Sequence, residues 1–191
     1  PRWPGNIKKL IINDDGEVLD RNGSRAIDEE TGNIKSSAST YWTTTGRDGM
    51  DVEAGGAGAL LAARSVSSRT LLTNTGDGEA LETFDTGNDA LTAELFEAAD
   101  DAERDVLIDW ARGVDVDDED EDGDNTDTRP WIIGDLIHSR PLAINYGGSA
   151  NDQDVRIVFG TNAGFLHMID AADGNEDWAF FAKESAPIVK V

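Results

Sequence analysis

A segment near the start of this chain returns in weakened form near its end. Gly5-Asn6-Ile7-Lys8-Lys9-Leu10 leads into Asn13-Asp14-Asp15-Gly16-Glu17, and Gly164-Phe165-Leu166-His167-Met168-Ile169 leads into Ala172-Asp173-Gly174-Asn175-Glu176. Superimposed, Gly5 falls on Gly164, Ile7 on Leu166 and Leu10 on Ile169, and each apolar stretch then meets an Asp-Gly turn signal flanked by acidic residues. A glycine, a short strand and a tight turn form one edge of a repeated β-unit. Such units joined by long insertions predict an all-β chain that makes part of a β-propeller, each unit burying its apolar face against its neighbours. In a scaffold of that kind, function sits in the loops.

Blades of about 40–45 residues limit a chain of 191 residues to about four. A closed ring is therefore not expected from this chain alone, and residues 1–191 read as a partial propeller domain. The start at Pro1, with no charged-then-apolar leader, reads as the interior of a longer processed polypeptide. No apolar run approaches the roughly 20 residues that cross a bilayer, so no membrane span is expected.

The 39 acidic and 16 basic residues leave a net charge of −23. That field repels phosphate backbones and anionic lipid heads, which excludes nucleic acid as an expected partner and favours cations. The absence of cysteine removes disulfides and thiolate metal sites.

Along residues 1–45 the pattern predicts short strands and turns: a strand over Ile7–Ile12, a turn at Asp14-Asp15-Gly16, a strand over Glu17–Leu19, then turns at Arg21-Asn22-Gly23 and Thr31-Gly32-Asn33. A glycine-rich stretch through Gly55-Gly56 and Gly58 precedes the β-leaning run Arg69–Thr73, which ends at the turn signal Asn74-Thr75-Gly76. Residues 89–113 change period and read as a two-helix insertion. Leu91, Leu95 and Phe96 follow the cap candidates Asn88-Asp89, and a second helix opens at Asp100 with Glu103 completing a capping box. That helix places Val106, Leu107, Trp110 and Ala111 on one face and ends at Gly113.

Residues 115–128 form an acidic loop. Within it, Asp118-x-Asp120-x-Asp122-Gly123 matches the front half of a calcium loop, in which oxygens at alternate positions converge and the sixth-position glycine allows a sharp turn. Asp124 at position seven offers its carbonyl, and Thr126 at nine offers its hydroxyl or a bound water. Position twelve holds Arg129 in place of the usual bidentate glutamate, so Asp127 or a residue elsewhere has to close the shell. The metal ligands expected are thus Asp118, Asp120, Asp122, Asp124, Thr126 and Asp127, with Ca2+ as the ion.

Asp135, His138 and Ser139 suggest hydrolase chemistry, but Ser139 lacks the flanking glycines of a nucleophile elbow. These side chains are expected instead to satisfy buried backbone groups where strands enter a β-unit. A zinc site built from an aspartate with His138 and His167 would require distant strands to meet. Farther on, Arg156–Asn162 and Ala163–Asp170 read as a hairpin. Asp170, Gly174 and Trp178 then follow at intervals of four, a pattern that looks like the blade motif of quinoprotein-type propellers, with Asp capping the turn, Gly opening it and Trp docking on the next blade.

Taken in order, Trp3–Leu10, Tyr41-Trp42, Asp51–Gly56, Arg69–Thr73, Trp110–Asp115, Gly134-Asp135-Leu136-Ile137-His138-Ser139-Arg140-Pro141 and Gly160-Thr161-Asn162-Ala163-Gly164-Phe165-Leu166-His167 resemble the propeller domain of the PilY-type type IV pilus tip and biogenesis proteins. The resemblance spans nearly the whole chain, and its last two blocks are the specific ones. It implies a secreted, non-enzymatic protein at the pilus tip that contacts minor pilins, promotes pilus extension over retraction and mediates adhesion to host or abiotic surfaces. The calcium loop of that family normally follows the region matched here, so its ligands are not transferred, and residues 118–127 stand on their own pattern. A fragment of a quinoprotein-type dehydrogenase and a calcium-dependent extracellular structural protein are the alternatives.

Overall fold

The computed structural model describes residues 3–44, 46–75, 78, 80–149 and 152–189. Its organising element is an antiparallel meander of four consecutive strands: β5 (Leu142–Ser149), β6 (Asp152–Gly160), β7 (Phe165–Asp170) and β8 (Glu176–Phe181). The run Val155–Phe159 and the alternation through Phe165, His167 and Ile169 give the inner strands one buried face, and Gly164 at φ +90° makes the tight turn between β6 and β7. Two earlier strands, β3 (Leu71–Thr73) and β4 (Glu82–Thr83), extend the sheet to six in the order β4-β3-β8-β7-β6-β5, with β3 parallel to β8.

The all-β, partial-propeller expectation is corrected here. The chain is a mixed α/β protein, and among the described residues no closed barrel or propeller is seen. The reason lies in the first copy of the end repeat. Ile7 to Leu10 do not form a strand, because their polar groups are used elsewhere: the Ile7 carbonyl accepts from Ala57 N–H at 2.9 Å, and the Lys9 carbonyl accepts from Tyr41 N–H at 2.9 Å. Only β1 (Ile11–Ile12) and β2 (Val18–Leu19) remain as a two-residue hairpin. The intervening turns are as expected, with Gly16, Gly23 and Gly32 all left-handed and Asn13, Asp20 and Asp28 side chains accepting from the turn N–H groups.

A helix that the sequence pattern did not announce, α1 (Gly56–Ala62), follows the glycine-rich stretch. Its start has no cap of its own. Asn6, distant in sequence, accepts from Gly58 N–H at 3.0 Å and donates to the Val52 and Gly55 carbonyls, each at 2.9 Å. Lys8 holds the loop that precedes α1, donating to the carbonyls of Asp48, Gly49 and Asp51. Helix α2 (Ala93–Phe96) is capped by Thr92 rather than by Asn88 or Asp89. Helix α3 (Asp101–Arg112) opens as expected, with the Asp100 carboxylate accepting from Glu103 N–H at 2.9 Å and the Glu103 carboxylate reaching back to Ala99 N–H, and it ends on left-handed Gly113. Its buried stripe is Leu107, Ile108 and Ala111, whereas Val106 faces solvent. Gly76 of the predicted turn after β3 lies outside the described residues, as do Lys190 and Val191.

Two apolar clusters pack on the sheet. One joins Leu71, Phe84, Phe165 and Phe181 to Leu91, Phe96, Leu107 and Ile108 of the helical segment; the other gathers Trp42, Leu61, Ile132, Ile133, Phe159 and Ile169 around α1. His167 bridges them, with its ring stacked on Phe159 at 5.1 Å and tilted against Phe165 at 5.8 Å. The turn from β7 to β8 follows the expected Asp-x-x-x-Gly logic: the Asp170 side chain accepts from Ala172 N–H at 2.7 Å, its carbonyl accepts from Gly174 N–H at 2.8 Å, and Gly174 is left-handed. The aromatic ring lying on that glycine is Trp42, so close that a Cβ there would come within 2.6 Å of it. Trp178 instead stays in β8, paired with Met168 across the ladder.

Candidate metal centre

The acidic loop is closed at its base by backbone pairing. Val114 bridges Thr128, Asp115 N–H donates to the Asp127 carbonyl at 3.1 Å, and Arg129 N–H donates to the Gly113 carbonyl at 2.8 Å. Asp115, fully buried, turns the chain inward, since both of its carboxylate oxygens accept from Glu119 N–H at 2.9 Å. The loop is thus tied to the C-terminal end of α3 and does not splay as a block of like charge would by itself.

Within that frame, carboxylate oxygens of Asp118, Asp120 and Asp122 all lie within 4.8 Å of one another. The backbone produces this by tight, left-handed steps at Asp118 (φ +53°), Glu121 (φ +60°) and Gly123 (φ +89°). Gly123 turns the loop where the spacing required, and its N–H donates to Asp118 Oδ1 at 3.0 Å. Asp122 N–H donates to Asp120 Oδ1 at 3.2 Å, and Asp124 N–H to Asp122 Oδ1 at 2.8 Å. A non-glycine residue in left-handed backbone costs stability, so two such residues in one loop mark a conformation imposed by its surroundings.

The other three expected ligands divide. The Asp124 carboxylate accepts from both the hydroxyl and the N–H of Thr126, which holds its pKa below the usual range; the Thr126 hydroxyl commits its proton there and keeps its lone pairs. Asp127 is half-buried and its Oδ1 is buried without a hydrogen-bond partner. Burial first, and then the carboxylates of Asp122, Asp120, Asp124 and Asp115, push its pKa up. Arg129 is kept out of the cluster, its guanidinium stacked on the Trp110 ring at 3.7 Å with its Nε 3.9 Å from a Glu119 oxygen. Burial pushes the Glu119 carboxyl up, and Arg129 offsets that in part.

The three convergent carboxylates suit a hard cation that takes six to eight oxygen ligands, with water in the remaining positions; the carboxylates of Asp124 and Asp127, also expected as ligand residues, do not join the cluster. The cluster does not suit zinc, which prefers nitrogen and sulfur in a tetrahedron. The histidines are spent elsewhere. His138 Nδ1 meets Asn162 Oδ1 at 3.1 Å, and His167 Nδ1 meets Glu176 Oε1 at 2.8 Å. Asp135 accepts from the Asn162 amide at 2.6 Å, and Ser139 Oγ accepts from Gly160 N–H at 2.9 Å. These polar groups therefore join the Gly134–Pro141 block to the Gly160–His167 block, and the Asp135 N–H bond to the Trp3 carbonyl at 3.0 Å ties both to the start of the chain.

A second titratable cluster escaped the sequence reading. Arg69, Glu176 and His167 are sealed beneath the sheet, with side chains 1–3% exposed. Arg69 Nε and Nη2 donate to the two Glu176 oxygens at 2.8 and 2.9 Å, a bidentate pair. Burial alone would push the Glu176 carboxyl up; the His167 hydrogen bond and the Arg69 charge outweigh it and hold the pKa at about 2. Solvent hardly reaches this group, which marks it as a brace that ties the segment leading into β3 to β7 and β8. No helix among the described residues is long and apolar enough to cross a membrane. No family model, characterised protein or solved structure matches this chain.

Proposed function

We propose that this protein is a non-enzymatic, extracellular component of a type IV pilus tip whose 115–128 loop takes up Ca2+ to favour pilus extension over retraction and adhesion to host or abiotic surfaces. The observation that carries the calcium part is the convergence of Asp118, Asp120 and Asp122 in a loop clamped at its base. The pilus setting rests on the ordered series of sequence blocks. It is supported by the way the two most specific blocks lock together through Asp135, His138, Ser139, Gly160 and Asn162, which makes them one structural unit. Minor pilins are the proposed partners.

The test is calorimetric titration of calcium into chelator-stripped protein, with an Asp120→Ala/Asp122→Ala variant alongside. Binding at about 0.1–1 mM, the range of extracellular calcium modules, is expected for the parent and none for the variant. Calcium should also slow amide exchange across 115–128 while leaving β5–β8 unchanged. No heat at millimolar calcium, or equal heat from the variant, would refute the metal centre. Failure of the protein to capture minor pilins in either calcium or chelator would leave a calcium-dependent structural protein and overturn the pilus reading.

A further inference from the structure

Three tryptophans and three charged side chains, one of them Glu119 of the acidic loop, line a cavity of about 170 Å³: Trp3, Trp110, Trp131, Glu53, Glu119 and Arg129. Its walls differ in rigidity. Trp131 is fixed, with its indole N–H donating to the Gly5 carbonyl at 2.9 Å and its six-membered ring pressed on α1 where a Cβ at Gly58 would come within 2.1 Å. Trp110 is held under the Arg129 guanidinium at 3.7 Å. Trp3 stands at the mouth, 59% exposed although its carbonyl is tied to Asp135 N–H. Ile12, Ile137, Tyr146 and Leu142 are exposed to a similar degree, so what distinguishes Trp3 is its place on the cavity lining beside two further indoles.

The polar groups narrow the class of ligand. An ammonium group would find carboxylates but also the Arg129 guanidinium, which already covers one of the aromatic faces that a cation would use. An anion would meet Glu53, Glu119 and the field of a chain carrying −23. A purely apolar ligand would strip water from three charged side chains with nothing in return. Hydroxyl groups both donate and accept, and so satisfy a guanidinium and two carboxylates at once. The volume is below the roughly 300–1,000 Å³ of drug-sized sites and suits a single ring. The geometry points to a saccharide-binding site, in which one neutral pyranose lays its C–H face on the indoles of Trp3 and Trp131 and turns its hydroxyls to Glu53, Glu119 and Arg129.

The experiment titrates methyl β-D-glucopyranoside, methyl α-D-mannopyranoside and N-acetylglucosamine into the protein, read by tryptophan fluorescence and saturation-transfer NMR. Chelator in the buffer keeps the result independent of the metal centre. At least one of the three is expected to bind with a Kd of about 1–10 mM. Trp3→Ala, a change at an exposed side chain, should weaken that binding at least tenfold, and Glu53→Gln should weaken it severalfold with the melting temperature unchanged. Absence of a signal from all three sugars, or equal binding by both variants, overturns the assignment. Binding of n-butylammonium or acetate in place of the sugars also overturns it, identifying the cavity as an amine or carboxylate site.

Discussion

Replacing Glu176 by Gln keeps the shape of the side chain and removes the charge that holds Arg69 and His167 beneath the sheet. The magnitude follows from the site. A carboxyl brought from its ordinary 4.5 to about 2 prefers its ionised form by about 3 kcal/mol more in the folded protein than in the open chain. Removing one partner of a buried pair costs about 3–5 kcal/mol by the separate argument that the remaining charge is left uncompensated. The two figures agree, so Glu176→Gln is expected to lower unfolding free energy at neutral pH by about 3–5 kcal/mol. Because the folded-state pKa is depressed, this stability is fully present above pH 4.5 and is lost as pH falls towards 2, so parent and variant should converge across that window. Urea denaturation followed by circular dichroism measures both quantities. A variant within about 1 kcal/mol of the parent at neutral pH, or a difference that does not shrink in acid, would show that the brace is not an ion pair of this kind. Replacing all three members by apolar residues of matching volume should recover much of the loss, since no charge is then stranded.

Gly5→Ala should destabilise the docking of the first segment by about 1–3 kcal/mol, because its Cβ would lie 2.1 Å from the Gly134 carbonyl oxygen, a backbone atom without freedom to retreat; chemical denaturation reads it directly. Asp100→Ala should cost about 1 kcal/mol by removing the acceptor for Glu103 N–H, and faster amide exchange should be confined to the first turn of α3.

Features that depend on near neighbours were legible in the sequence. The β6–β7 hairpin, the start of α3 at Asp100 and its end at Gly113, and the left-handed turns at Gly16, Gly23, Gly32 and Gly174 all follow from residues within a few positions of one another. What failed depended on distant partners. Helix α1 receives its cap from Asn6, and the same segment spends its backbone on Ala57 and Tyr41, so Ile7–Leu10 has an apolar strand's composition without a strand's ladder. Trp178 has the spacing of a docking tryptophan, yet Trp42 reaches Gly174 first. The aspartate triad could be read from its spacing because one tight loop carries it, whereas the tryptophan cavity, assembled from residues 3, 53, 110, 119, 129 and 131, has no local signature.

The supply of hydrogen-bond donors sorts the carboxylates of this acidic chain into two kinds. Asp20 takes N–H groups from Asn22, Ser24 and Ser39; Asp48 takes the N–H and hydroxyl of Thr40 with Lys8 at 3.4 Å; Glu176 takes a full guanidinium fork. Each of these is buried, and donors from the chain replace the water it lost. Asp118, Asp120 and Asp122 each receive a single backbone N–H on one oxygen, and a carboxylate has room for about four such bonds. Those N–H groups fix the direction of each side chain while leaving most of its acceptor capacity turned towards the other two. The same bond occurs at Asp51 and Asp173, exposed and outside any cluster, so orientation alone is ordinary turn geometry; what sets the three apart is their convergence, which mutual repulsion would undo on an untethered loop. Holding them together by clamps at Val114–Thr128 and Asp115–Glu119 makes sense where a cation supplies the missing positive charge, which is why binding is expected to disappear when Asp120 and Asp122 are removed even though the loop's closing bonds remain.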